Sequence, residues 1–138
     1  MSMTINDLIS TIHALHLHLV LTHPQPGQPA GYYDHTTHTI YLAHTPQSTA
    51  LRCTLAHELA HAYRCDHGHQ TPSVEHLCDQ TAARMLIDEN DYATAEHLYA
   101  GNPWAIADEL GVTTRLLIAY QTWLTQNPPH TPLSDTSY

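Results

Sequence analysis

Apolar residues at Ile5, Leu8, Ile9, Ile12 and Leu15 recur at the three-to-four spacing of one helical face. The rhythm then changes to alternation at Leu17, Leu19 and Leu21, which predicts a strand. "THPQPGQPAG" is rich in turn formers and predicts a loop. "GYYDHTTHTIYLA" predicts a hairpin, with Tyr32 and Tyr33 on one arm, a polar turn at Asp34 to Thr37, and a return strand Thr39–Ala43. The expected sheet is small, antiparallel and about three strands wide.

Beyond residue 44 the periodicity is helical. Thr45 and Pro46 read as an N-cap and a first-turn proline. The helix they announce carries Leu51, Leu55 and Leu59 on one stripe and ends near Arg64. Thr71 and Pro72 announce a second, running through Ile87 with Val74, Leu77, Cys78, Ala82, Met85 and Leu86 apolar. Asp88 caps a short helix that stops before Gly101. Asn102 and Pro103 start another that closes at Gly111, and Thr113 or Thr114 begins a last one reaching about Thr125. The fold class is therefore α+β, a small sheet packed with about five to six helices. Residues 1–126 form the expected single domain, with a flexible tail over 127–138.

Composition narrows the function. The chain has 138 residues, a net charge of −9, and only four basic side chains, all arginines. That field repels phosphate backbones, so direct nucleic-acid binding is not expected. "IADELGVTTRLLIAYQTWL" has the spacing of a helix-turn-helix, yet its last helix offers only Arg115 as a base. Core packing through Leu110, Val112, Leu116, Leu117 and Trp123 is the expected role of this segment. No apolar run approaches a membrane span, and the N-terminus lacks the pattern of a secretory signal. Three cysteines without CxxC spacing point to a reducing cytoplasm.

The chain carries fourteen histidines, so only spacing can single out a metal ligand. "TLAHELAHAYRCDHGH" contains His57-Glu58-Leu59-Ala60-His61, the HExxH arrangement, on the central apolar helix. Residues four apart lie on one helical face, so both imidazoles can converge on one Zn²⁺. Glu58, beside the first ligand, is placed to act as general base. On the next helix Glu75 is the candidate third ligand. Asp79, one turn further, is the candidate acceptor for a ligand imidazole. His67 is a rival third ligand, though Arg64 stands where a sharp turn toward it would call for glycine.

These pieces resemble the ImmA/IrrE family of small metallopeptidases. The resemblance rests on the "GYYD…TIYLA" hairpin, "LAHELAHAY", "EHLCDQTAARMLI" and "IADELGVTTRLLIAY", in that order, over about residues 5–124. The third piece departs from the family pattern at Cys78, Thr81 and Asp88, none of them a candidate ligand. The resemblance implies a zinc-dependent endopeptidase of bacteria, phages or mobile elements. Its expected partner is a protein substrate, a DNA-binding helix-turn-helix repressor. The alternative is a zinc-containing regulatory module that grips a repressor or toxin without turnover. For the oxyanion the candidate donors are Tyr63, His67, His69 and Tyr92, and the return strand Thr39–Ala43 is the expected edge for an extended substrate.

Overall fold

The structure, a computed structural model, describes residues 2–66 and 70–128. The expectations for His67 and His69, and for the tail from residue 129 onward, lie outside the described residues. Helix α1 (Ile5–Ala14) opens with a capping box: the Thr4 hydroxyl accepts from the Asp7 N–H, and the Asp7 carboxylate accepts from the Thr4 N–H. Three strands follow, β1 (His18–Thr22), β2 (Gly31–Asp34) and β3 (Thr39–Ala43).

The sheet order is β1-β3-β2, with β3 antiparallel to β2 but parallel to β1. An all-antiparallel sheet was the expectation, and the sheet is mixed. The cause is the proline-rich connection at residues 23–30, which reaches past the position of β3 to the far side. That crossing spans two strand spacings, roughly 10 Å. The tight hairpin then returns β3 into the gap. As the central strand, β3 has both flanks paired and cannot take the expected substrate. The outer strand on the side of α2 is β2.

Five helices complete the chain: α2 (Ser48–Arg64), α3 (Pro72–Leu86), α4 (Glu89–Leu98), α5 (Pro103–Leu110) and α6 (Thr114–Gln126). Thr71, Asp88, Asn102 and Thr113 each cap a helix by accepting from a backbone N–H in its first turn. The exception is α2, whose N-cap is Gln47 and not Thr45. The Thr45 hydroxyl accepts from the Gln47 N–H and donates to the Gln47 amide oxygen, so it forms a local turn one step upstream.

The core gathers Leu8 and Ile12 of α1, Ile40 and Leu42 of β3, Leu55 and Leu59 of α2, Leu86 of α3 and Leu117 of α6. Burying each such leucine contributes about 1.5–3 kcal/mol. Alanines at 56 and 60 on α2 and at 82 and 83 on α3 are fully buried. Val112, Leu116 and Leu117 pack inward as expected, whereas Leu21 and Leu77 face outward. Among the described residues no helix is long and apolar enough to cross a membrane.

Arg52 ties the N-terminus and two helix ends to α2. Its guanidinium donates to the carbonyls of Met3, Gly111 and Leu86 and to the Ser2 hydroxyl, at 2.8–3.1 Å. Removing it leaves three carbonyls with one partner fewer. The Arg52→Ala variant should lose roughly 2–4 kcal/mol of stability. Urea unfolding monitored by circular dichroism measures this, and a change below about 0.5 kcal/mol would show the tether to be superfluous.

Candidate metal centre

His57 and His61 stand one turn apart on α2, and α3 crosses beside them. The Thr71 cap and Pro72 fix where α3 begins, which puts Glu75 in its first turn, facing both rings. The Nε2 atoms of His57 and His61 lie 3.2 Å apart, and Glu75 Oε1 lies 2.9 Å and 3.1 Å from them. A tetrahedral ion holding nitrogen and oxygen at about 2.0–2.1 Å sets its ligands roughly 3.3 Å apart. The triangle fits such an ion with a contraction of a few tenths of an ångström. Three lone-pair atoms this close repel one another unless a proton or cation stands between them, which is the physical reason the set suits a metal.

Each imidazole is held from behind. His57 Nδ1 lies 2.7 Å from Asp79 Oδ1, and Asp79 Oδ2 accepts from Arg115 Nε at 2.8 Å. His61 Nδ1 lies 2.9 Å from Asp66 Oδ2, which also accepts from Arg64 Nε at 3.0 Å. Donation from both Nδ1 atoms to carboxylates leaves both Nε2 lone pairs aimed at the triangle. Glu75 is steadied at its other oxygen, which accepts from the Gln70 N–H at 3.1 Å.

The electrostatics agree with this pattern. Burial alone would lower the His57 pKa, but the Asp79 hydrogen bond and the Glu58 and Asp79 charges outweigh it and raise the value. Burial would raise Asp79, but its bonds to His57 and Arg115 hold the carboxyl below its ordinary range. Glu75 is likewise lowered: burial opposes, and the Gln70 N–H and the imidazoles prevail.

His61, Asp66 and Cys78 form a second close group among the described residues. Burial pushes the Cys78 thiol up to about 12, so it stays protonated, and the His61 Nδ1 hydrogen is engaged by Asp66. We read this group as a hydrogen-bonding shell behind His61.

The three candidate ligands line a cleft of about 470 Å³ together with Glu58, Asp79, Arg115 and the β2 residues Gly31, Tyr32 and Tyr33. Glu58 is only 7% exposed. Strand β2 presses against α2 so closely that a Cβ on Gly31 would stand 2.7 Å from Thr54 Cγ2 and 2.9 Å from Glu58 Cγ. Only glycine permits that approach.

Two sequence candidates stand elsewhere. Tyr63 follows His61 by two residues, about 200° around the helix, and is 54% exposed away from the cleft. Tyr92 packs on Tyr120 with ring centres 5.1 Å apart, and its hydroxyl donates to Glu96 at 2.5 Å. Neither lines the cleft, so neither is placed to donate to an oxyanion.

The sequence also hid two residues. Asp66 lies beyond the end of α2 and reaches back because Cys65 adopts the left-handed conformation, φ 58°. The Cys65 N–H donates to the Ala62 carbonyl and the Asp66 N–H to the His61 carbonyl, a Schellman closure normally signalled by glycine. Arg115 meets Asp79 from 36 residues away, across a helix contact that local spacing cannot reveal.

The family model of the IrrE N-terminal-like domain matches residues 16–119. The chain belongs to the ImmA/IrrE peptidase family. No curated protein and no solved structure matches it. ImmA/IrrE membership supports a metallopeptidase-type function, and the cluster of His57, His61 and Glu75 supports a bound metal.

In this ImmA/IrrE chain the carboxylates behind the imidazoles carry a measurable load. Asp66→Ala should weaken metal binding about 10–100-fold, and Asp66→Asn by less, since an amide oxygen still accepts. Competition with a chromophoric chelator reads both values, and unchanged affinity in Asp66→Ala would remove the brace. A second expectation concerns pH. Because the folded Asp79 pKa lies below its ordinary 3.8, its stabilisation is complete above about 3.8 and is lost as pH falls through the folded value. The stability difference between metal-free wild type and Asp79→Ala should therefore be larger at pH 7 than at pH 2.5, measured by thermal or urea unfolding at each pH.

Proposed function

We propose that the protein is a zinc-dependent endopeptidase whose substrate is a helix-turn-helix repressor, acting in the cytoplasm of a bacterial or phage-infected cell. The observation that carries this reading is one cleft holding both the His57, His61 and Glu75 triangle and the buried carboxylate of Glu58. Two imidazoles and one carboxylate are a zinc donor set that leaves a fourth position open. A bound divalent ion there supplies Lewis-acid chemistry, acidifying water and polarising a carbonyl.

The remaining steps belong to the chain's own residues. Glu58 takes a proton from the attacking water onto its carboxylate and passes it to the departing amine. Burial beside α2 and β2 keeps that carboxylate from wide excursions. Asp79 and Asp66 hold the two rings in the tautomer that leaves Nε2 free. As the outer strand, β2 and not β3 offers an extended peptide the outward-facing backbone groups of Gly31 and Tyr33, both on the cleft wall. The free cysteines at 53, 65 and 78 accord with a reducing compartment.

Glu58→Gln keeps the shape of the site but removes the base. It should bind zinc with wild-type stoichiometry and cleave the cognate repressor about 10²–10⁴-fold more slowly. Elemental analysis and a gel-based cleavage assay test the two halves. Cleavage at the wild-type rate would exclude Glu58 as the base. Retention of the repressor by wild type, with no cut, would favour the interaction module instead.

A further inference from the structure

Arg115 has more donors than its known bond uses. It sits in the first turn of α6, and its Nε donates to Asp79 Oδ2. Its two Nη groups have no protein partner among the described residues, and the side chain is 68% exposed while lining the cleft. The other arginines are engaged elsewhere: Arg52 on backbone carbonyls, Arg64 on Asp66, Arg84 over the Trp123 ring. Arg115 is thus the only arginine on the wall of the cleft, in a chain without lysine.

We propose that Arg115 docks a carboxylate of the peptide lying in the cleft. This rests on the reading that the cleft takes a peptide. A guanidinium fixed at Nε presents Nη1 and Nη2 as a rigid pair, the geometry that carboxylates accept in bidentate fashion. Because Asp79 holds the fork, little side-chain freedom is lost when a ligand arrives. The local charge agrees. Glu58, Glu75 and Asp79 bring three negative charges to the cleft and Arg115 one positive. A divalent ion in the triangle would balance the set, so an acidic peptide meets no net repulsion there.

Two hydrogen bonds, of 2.7 and 2.8 Å, separate the guanidinium from the His57 ring. At roughly 3.3 Å per extended residue, the docked carboxylate lies within about three residues of the bond that is cut. It belongs either to an Asp or Glu side chain or to the peptide's own C-terminus, and the fork reads both alike.

The test uses zinc-loaded Glu58→Gln protein and three N-acetylated alanine pentapeptides: one with a central Glu and its Gln counterpart, both C-terminally amidated, and an all-alanine peptide ending in a free carboxylate. Binding is followed by NMR on the ¹⁵N-labelled Arg115 Nε–H. The Glu peptide, the free-acid peptide, or both should shift that signal and bind at least about fivefold tighter than the Gln peptide. Which of them does so assigns the source. Adding Arg115→Gln to the same protein, held at saturating zinc with its content checked by elemental analysis, should abolish the preference. The proposal is overturned if no carboxylate peptide outcompetes the Gln peptide. It is also overturned if the preference survives Arg115→Gln, since the ion alone would then be the receptor. Should the Arg115→Gln protein not fold, the Nε–H shift decides alone. Carboxylate preference in the variant, with no repressor cut by the zinc-loaded wild type, would sink the peptidase reading and leave this one standing; wild-type cleavage without carboxylate preference would do the reverse.

Discussion

Two imidazole nitrogens and a carboxylate oxygen held within 3.2 Å of one another form an arrangement that costs energy until something positive joins it. Much of the structure serves to hold that arrangement. The four-residue spacing on α2 supplies two corners, but spacing alone leaves the rings free to rotate. Asp79 and Asp66 remove that freedom, each by accepting from the nitrogen that faces away. The third corner depends on a different helix, so it depends on how closely α3 lies to α2. Both helices carry fully buried alanines, at 56 and 60 on α2 and at 82 and 83 on α3. A larger side chain at this contact would act on the site without touching it.

The second constraint is electrical. Glu58, Asp66, Glu75 and Asp79 gather four carboxylates around two imidazoles in a chain that has no lysine and four arginines. Two of the four arginines are used here, Arg64 on Asp66 and Arg115 on Asp79. Without Arg115, Asp79 would keep its charge against the pull of burial with one bond fewer. Together with the His57 bond, the Arg115 bond holds the Asp79 carboxyl below its ordinary range, so it accepts from His57 at neutral pH. The helix-turn-helix spacing of the last two helices thereby gains a physical meaning. Val112 of the turn before α6 and Leu116 and Leu117 of α6 pack into the core, and the residue just before that leucine pair reaches Asp79 behind the candidate metal site.

How much of this could be read beforehand follows the range of each interaction. The helices declared themselves through local rules, at caps such as Thr71, Asp88, Asn102 and Thr113, and the candidate ligands on α2 through i, i+4 spacing. Glu75 and Asp79 were legible because they too are one turn apart on a helix. The parallel pairing of β1 with β3 was not, because residues 23–30 constrain only the loop's composition and not which flank it reaches. Asp66 was hidden by a left-handed cysteine doing what glycine usually announces. Spacing could not choose among the candidate oxyanion donors, and of the two that are described Tyr63 sits on the side of α2 away from the cleft while the Tyr92 hydroxyl is spent on Glu96.

The crossing that makes the sheet mixed also gives the cleft its wall. Had β3 been the outer strand, its polar-turn end and Thr39 would have flanked α2, and the short strand with Gly31 would have been enclosed. With β2 outermost, a glycine meets Thr54 and Glu58 at a distance no Cβ tolerates. The strand therefore lies against the helix that carries the candidate base, and its open backbone runs along the same cleft as the donor triangle. Sheet order, one glycine and one four-residue spacing thus converge on one cleft, which brings an edge strand, the donor triangle and the Glu58 carboxylate together.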